Sequence, residues 1–122
     1  MTLQLLRPVL YTEEMEETLQ FYTEVLGFGI DNYEAASGWA SVSKDEVSLM
    51  LSLPFAHRAF SKPVFTGSFY FHTTQVDALW EKLKAKAQVC YAPETFSYGM
   101  REFAVYDNNG YLLQFGEEVR ED

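Results

Sequence analysis

The stretch that decides the fold is residues 101–115, which read REFAVYDNNGYLLQF. Mainly apolar runs lie on both sides of the tetrapeptide Asp107-Asn108-Asn109-Gly110. Asn-Gly between two such runs is typical of a β-hairpin, because a tight turn needs positive φ angles that these residues tolerate. The stretch therefore predicts two antiparallel strands, Arg101–Tyr106 and Tyr111–Phe115.

The residues before this hairpin predict the rest of one structural module. Ser68–Thr73 is typical of a strand, Thr74–Lys86 of a helix, and Val89–Tyr91 of a further short strand. Thr74 and Asp77 have the spacing of a capping box at the start of that helix. One apolar stripe runs along it: Val76, Leu79, Trp80, Leu83 and Ala87. The predicted order is strand, helix and three strands.

The first half of the chain repeats this order. A strand is predicted at Leu5–Tyr11 and a helix at Thr12–Leu26, with the apolar stripe Met15, Leu19, Tyr22 and Leu26. Three strands are predicted after it: Gly29–Tyr33, Trp39–Ser43 and Val47–Leu53. A small sheet with one helix cannot close a core alone, so two copies are expected to pair. We predict an α+β fold in which two tandem βαβββ modules form one domain over residues 1–122.

The boundaries of the two modules follow from composition. Module one covers about 1–53 and module two about 65–122, joined by a linker at about 54–64. The linker reads PFAHRAFSKPV and has a proline near each end.

Composition excludes several classes of partner. The 122 residues carry 9 basic and 18 acidic side chains, a net charge of −9, so we expect no nucleic-acid binding and no anionic membrane surface as partner.

The single cysteine, Cys90, excludes an internal disulfide and is expected to be buried. The first residues show no basic leader with an apolar stretch, so we expect a cytoplasmic protein.

Motifs at both ends of the chain resemble one family. The beginning carries Pro8-Val9-Leu10, acidic Glu14, Phe21-Tyr22 and Leu26-Gly27-Phe28. The end carries YGMREFAV at residues 98–105, followed by Asp107 and Gly110. Both resemble the glyoxalase/bleomycin resistance/dioxygenase proteins, the vicinal oxygen chelate superfamily. The resemblance implies sheets that curl around a cavity, and a homodimer that often exchanges strands or modules.

The same resemblance points to four positions that hold a metal ion in the metal-dependent members. They fall here on Arg7, Met50, Ser68 and Gln114. Arginine cannot ligate a cation, methionine is too soft for magnesium or manganese, and serine and glutamine are weak neutral donors. We therefore expect no metal, no cofactor and no catalytic residue. Glu102 follows Arg101 in a predicted strand, which favours an ion pair or a solvated edge over a general base.

Without these ligands, the resemblance is closest to the bleomycin-resistance branch, whose members bind a cationic antibiotic without chemistry. Two features of the residues agree with such a ligand. Seven acids and no Lys or Arg lie between Pro8 and Ser43, which would attract a cation. Aromatic residues also occur at predicted strand ends and loops, where stacking groups are common: Tyr33, Trp39, Phe55, Phe60, Tyr91, Phe96 and Tyr98.

In the resistance proteins, two aromatic residues from different subunits clamp the planar tail of the drug. The resemblance assigns these roles to Trp39 and Tyr98, with Gly99 beside Tyr98, and matches a ligand-binding serine to Ser52. The motif that begins at Tyr98 is one residue longer here. Tyr33, Phe55 and Phe60 complete the candidate ligand-binding residues.

The sequence thus predicts metal-independent binding of a small aromatic, cationic ligand, with sequestration of a bleomycin-type antibiotic as the specific hypothesis. The alternative is a metal-dependent lyase, isomerase or dioxygenase of the superfamily with atypical ligands. A small-molecule sensor or accessory subunit is a third interpretation.

Overall fold

Each half of the chain folds as a strand, a helix and three further strands. The computed structural model describes residues 1–54 and 60–120, and it divides into two units, Met1–Lys62 and Pro63–Asp122. Each unit contains one four-stranded mixed sheet and one helical segment, so the predicted α+β class and the two βαβββ modules are confirmed.

The first unit has the sheet order β1-β4-β3-β2. Strand β1 is parallel to β4, and the other two pairings are antiparallel. Its elements are β1 (Val9–Tyr11), α1 (Met15–Gln20), a π-helical continuation (Phe21–Val25), β2 (Gly29–Glu34), β3 (Trp39–Lys44) and β4 (Val47–Ser52).

The first strand and the first helix both begin several residues later than predicted. The strand begins after Pro8, not at Leu5, because proline has no N–H to donate to a ladder. Helix α1 begins at Met15, directly after a turn in which the Glu14 amide donates to the Thr12 hydroxyl at 2.9 Å. The predicted apolar stripe is confirmed, since all its members are buried: Met15, Leu19, Tyr22 and Leu26.

The second unit repeats the arrangement with the order β5-β8-β7-β6. Strand β5 is parallel to β8, and the other pairings are antiparallel. Its elements are β5 (Phe69–His72), α2 (Val76–Leu83), β6 (Gln88–Thr95), β7 (Met100–Tyr106) and β8 (Leu112–Glu118).

One face of the second sheet packs against α2. Trp80 on the helix contacts the ring of Phe103 edge-on at 5.4 Å, and Phe103 stacks on Phe115 at 5.2 Å. Phe71 stacks on Phe115 from the other side at 5.0 Å. Because side chains alternate along a strand, the residues between these aromatics lie on the opposite face, which carries the polar groups of the unit.

Helix α2 does not begin with the predicted capping box. Gln75 precedes the helix, and no side chain of the helix start accepts a capping bond. Instead, the Val76 amide donates to the Glu117 carboxylate on β8 at 3.0 Å, while Asp77 forms an ion pair with Arg101 at 2.9 Å. The prediction from Thr74 was wrong because the sheet supplies the acceptor from a distant part of the chain.

Two further expectations are settled by the fold. Cys90 lies on β6 and is exposed, so the prediction that it is buried was wrong. Within residues 1–54 and 60–120, no helix is both long and apolar enough to cross a membrane.

Candidate functional site

A buried carboxylate lies on the polar face of the second sheet. Glu102 in the middle of β7 is only 3% exposed, and its register partners are Gly116 on β8 and Glu94 on β6. Among the residues that the structure describes, no basic side chain forms an ion pair with it. A carboxylate removed from water needs hydrogen-bond donors to remain charged.

Three tyrosine hydroxyls supply those donors. Tyr70 on β5 donates to Oε2 of Glu102 at 2.6 Å, and Tyr91 on β6 donates to Oε1 at 3.2 Å. Tyr98, in the turn between β6 and β7, also donates to Oε1. We call Glu102 with these three tyrosines the tyrosine–glutamate cluster. It joins three separate segments of the second unit around one negative charge.

The reach of Tyr70 across the sheet depends on Gly116. Tyr70 lies on β5 and Glu102 on β7, so the phenol must cross β8, the strand between them. A Cβ atom at Gly116 would lie 2.5 Å from Cζ of Tyr70 and closer still to its hydroxyl oxygen. Real Cβ atoms do not approach other atoms this closely, so only glycine at this position admits the crossing ring.

The cluster raises the pKa values of its tyrosines. The hydrogen bond to Glu102 is the main cause that raises the pKa of Tyr98 to about 12. Burial, followed by the bond to Glu102, raises the pKa of Tyr70 well above its ordinary value. Burial also raises the pKa of Tyr91. In each case, a phenolate would have to form next to an existing negative charge or away from water.

The two family metal positions of the second unit extend this network. Ser68 donates to Oε1 of Gln114, whose Nε2 donates to the Tyr91 hydroxyl at 2.9 Å. Both polar atoms of Gln114 are therefore engaged by neutral partners. Neither residue brings a negative charge, so this pair does not fit a divalent cation.

The metal positions of the first unit fit no better. Arg7 is exposed before β1, and its side chain carries no lone pair for a metal. Met50 pairs in register with Val9 and Ser41, and its thioether suits soft metals only. Across the described parts of the chain, no three His, Cys, Asp or Glu residues cluster as metal ligands would.

The predicted site residues of the second unit lie at the edge of the tyrosine–glutamate cluster. Tyr98 is 63% exposed, and its ring stacks on Phe96 at 5.4 Å with an angle of 2° between the planes. Tyr91 contacts the Phe96 ring edge-on at 6.0 Å. Gly99 closes the turn with a φ of 88°, which is a conformation that glycine adopts without strain.

The predicted residues of the first unit form a separate group. Trp39 pairs with Ser52 in the β3–β4 register, and Ser52 pairs with Tyr11 on β1, so these three share one face of the first sheet. Phe60 contacts the Tyr11 ring at 6.2 Å. Tyr33 pairs with Ala40, the neighbour of Trp39, and therefore lies on the other face of that sheet. Phe55 lies outside the described residues.

Sequence reasoning missed the centre of the site. The expectation of an ion pair or a solvated edge at Glu102 was wrong, because Arg101 points to Asp77 and Glu102 is buried among phenols. The alternation of β5 and β8 placed Tyr70 and Gln114 on one face and could have indicated a polar cluster there. Gly116 lies directly after the predicted strand Tyr111–Phe115 and inside the longer observed strand β8, and a glycine within a strand often marks a close approach.

Comparisons with known proteins agree with this architecture. A solved glyoxalase/bleomycin resistance protein/dioxygenase from Nocardioides superposes with a TM-score of 0.78 at 17% identity, covering 98% of this chain and 89% of that one. TioX from Micromonospora sp. ML1 superposes with a TM-score of 0.74 at 17% identity, and the match covers 93% of this chain and 99% of TioX. Lactoylglutathione lyase from Agrobacterium tumefaciens superposes with a TM-score of 0.71 at 18% identity, and the match covers 93% of this chain and 92% of that one. At these identities the likeness shows the fold alone.

Sequence comparison assigns the family. No curated protein matched the chain. The family model of the Glyoxalase/Bleomycin resistance protein/Dioxygenase superfamily matches residues 4–115. This range includes the whole tyrosine–glutamate cluster and every described strand and helix except the end of β8. The chain belongs to the Glyoxalase/Bleomycin resistance protein/Dioxygenase superfamily.

Proposed function

We propose that the protein binds a small aromatic cation without a metal ion and without chemistry. The single observation that carries this proposal is the tyrosine–glutamate cluster. It holds one buried negative charge, at Glu102, to which the hydroxyl of the exposed Tyr98 donates. A cation about 4 Å from such a charge gains on the order of 4 kcal/mol near a protein surface, and it gains less at the longer distance that the covering phenols impose.

Stacking supports an aromatic ligand at the same place. Tyr98 and Phe96 present parallel rings in a turn, and one of these rings is largely exposed. A cation against an aromatic face gains roughly 0.5–2 kcal/mol, so charge and stacking favour the same ligand. The acid-rich first unit adds a long-range attraction of the same sign.

The specific form of the proposal is sequestration of a bleomycin-type antibiotic, as a resistance protein does. It rests on the resemblance of the motifs around Trp39 and Tyr98 and on the cationic, planar character of such drugs. The alternative, a metal-dependent superfamily enzyme, requires ligands that Ser68 and Gln114 do not provide in their present bonds. Elemental analysis of protein purified without chelators tests that alternative, and stoichiometric metal would contradict our proposal.

Titration with bleomycin and other planar cationic drugs tests the binding function. Trp39 and Trp80 are the only tryptophans, and Trp80 lies on helix α2 and packs on Phe103 of the sheet. We expect drug binding to change the fluorescence of Trp39 and not that of Trp80, which single Trp→Phe variants assign. Drugs that leave the fluorescence and the calorimetric heat unchanged would contradict the proposal.

Aromatic truncation tests the binding residues. Replacing Tyr98 or Trp39 by Ala is expected to weaken drug binding by roughly 1–3 kcal/mol, because each removes a stacking face. Phe65→Ala is the matched control, since Phe65 is also exposed and stacked on a neighbour, Phe69, at 5.1 Å but does not contact Glu102. Equal losses in all three variants would contradict these assignments.

The homodimer also remains a proposal. Light scattering on the purified protein, with and without drug, measures its mass directly. A monomer under both conditions would contradict a clamp built from two subunits.

A further inference from the structure

Hydrogen bonds within the protein occupy most of the acceptor positions of the Glu102 carboxylate. A carboxylate has about four acceptor positions, two on each oxygen. Tyr91 and Tyr98 occupy both positions on Oε1, and Tyr70 occupies one on Oε2. One acceptor position remains, and the residue is only 3% exposed. A ligand therefore cannot pair with this carboxylate through several N–H groups.

What a ligand can reach is the outer surface of the phenols. Tyr98 is 63% exposed and Tyr70 is 36% exposed, whereas the carboxylate to which both donate is covered. A phenol that donates to an anion becomes more electron-rich, so its ring attracts a cation more strongly than an isolated ring does. The negative charge thus acts on a ligand through aromatic surface, without a direct hydrogen bond.

Such a surface distinguishes between kinds of cation. A primary ammonium has three N–H donors and a guanidinium has five, and all are bonded to water before binding. Placing them against rings removes this water without offering equal acceptors, which is costly. A methylated ammonium has few or no N–H donors, and its methyl groups gain apolar contact as well as the cation–π attraction.

We propose that the tyrosine–glutamate cluster selects a tertiary or quaternary ammonium, or an equally donor-poor onium group, over a primary ammonium or guanidinium. This inference rests on the proposed function and narrows its ligand class. The exposed carboxylate of Glu94, the register neighbour of Glu102 on β6, provides an internal comparison. It is open to water and would favour the opposite kind of cation, one with several N–H donors.

Two small probes test the selectivity on the unmodified protein. Benzyltrimethylammonium and benzylammonium carry the same ring and the same charge and differ in N–H donors. Titration followed by NMR is expected to show roughly tenfold tighter binding of the trimethylated probe, with the largest shifts at Tyr98 and Phe96. Equal or tighter binding of benzylammonium would overturn the inference while leaving cation binding intact. Failure of both probes to bind would overturn the inference and the proposed function together.

Two variants separate the attraction from the selectivity. Glu102→Gln removes the buried charge and is expected to weaken binding of both probes about threefold or more, because only the rings then attract the cation, while the preference for the trimethylated probe is kept because it comes from the donor-poor rings. Glu94→Gln is the control and is expected to leave binding of the trimethylated probe within about twofold without lowering the preference, since this carboxylate is open to water. Unchanged binding of both probes in Glu102→Gln, or a preference lost in either variant, would overturn the role of the cluster. Because the ratio of the two probes is also measured on the unmodified protein, the test does not depend on the folding of either variant.

Discussion

The two sheets share one topology but carry different chemistry on the faces opposite their buried apolar residues. In the first sheet the paired positions at the ends of β3 and β4 hold Trp39 and Ser52. In the second sheet the corresponding pair on β7 and β8 is Glu102 and Gly116. An indole beside a hydroxyl thus stands where the other unit has a buried carboxylate beside a glycine.

The buried faces of the two sheets differ much less. Leu51 and Ala40 in the first sheet and Phe115 and Phe103 in the second are all buried and apolar. Burial restricts those positions to apolar side chains, whereas the other face is not restricted in this way. The difference teaches that the repeat preserves the core of each module while the polar composition of the second face differs between the modules.

The largest expected effect comes from removing the charge at the centre of the second sheet. Glu102→Ala is expected to lower the free energy of unfolding by about 2–3 kcal/mol, because three hydroxyls lose a charged acceptor. Urea unfolding measures the change. Glu94→Ala, an exposed glutamate at the neighbouring register position, is expected to stay within about 0.5 kcal/mol. Similar losses in both variants would show that the cluster does not stabilise its sheet.

A smaller loss of unfolding free energy is expected from a substitution at Gly116, the register partner of Glu102. Gly116→Ala is expected to cost about 1–3 kcal/mol, because the new methyl group collides with Tyr70. Ser52→Ala, at the equivalent position of the first sheet, removes only the bond to the Leu53 carbonyl and is expected to cost about 1 kcal/mol or less. Adding Tyr70→Ala should abolish most of the extra cost of Gly116→Ala. An undiminished cost in the double variant would mean that the collision is not its cause.

The smallest effect concerns alkaline pH. The unfolded chain releases tyrosine protons near the ordinary pKa of about 10, whereas Tyr98 in the folded state does so at about 12. Stability linked to this group is therefore complete below about pH 10 and is lost as the pH rises towards 12. Ultraviolet absorbance of tyrosinate measures the titration. Glu102→Gln should shift the late-titrating tyrosines to lower pH, and an unchanged curve would show that the Glu102 charge does not raise their pKa values.

Local patterns in the sequence were sufficient to predict most of the fold. The Asn-Gly turn, the two apolar helix stripes and the repeated order of elements predicted both modules, since these features depend on residues close together in the chain. The π-helical segment Phe21–Val25 and the contact of Glu117 with the start of α2 were not predictable in this way. They depend on packing and on residues far apart.

The candidate site was less predictable for the same reason. Tyr98 was identified through the family motif, but its hydroxyl partner was not. Tyr91 lies between two register shifts in the pairing of β6 with β7, and no sequence pattern specified those shifts. Tyr70 reaches it only across Gly116. The position of a side chain in a cluster depends on the strand register, which the sequence indicated only coarsely.

The passage of Tyr70 over Gly116 also constrains how this sequence can change through mutation. A side chain at position 116 costs more stability while the phenol at position 70 is present than after it has been lost, because the two occupy the same space. Substitutions that remove the phenol first therefore follow the less destabilising order. Related sequences that carry a larger residue at 116 are expected to lack an aromatic residue at 70.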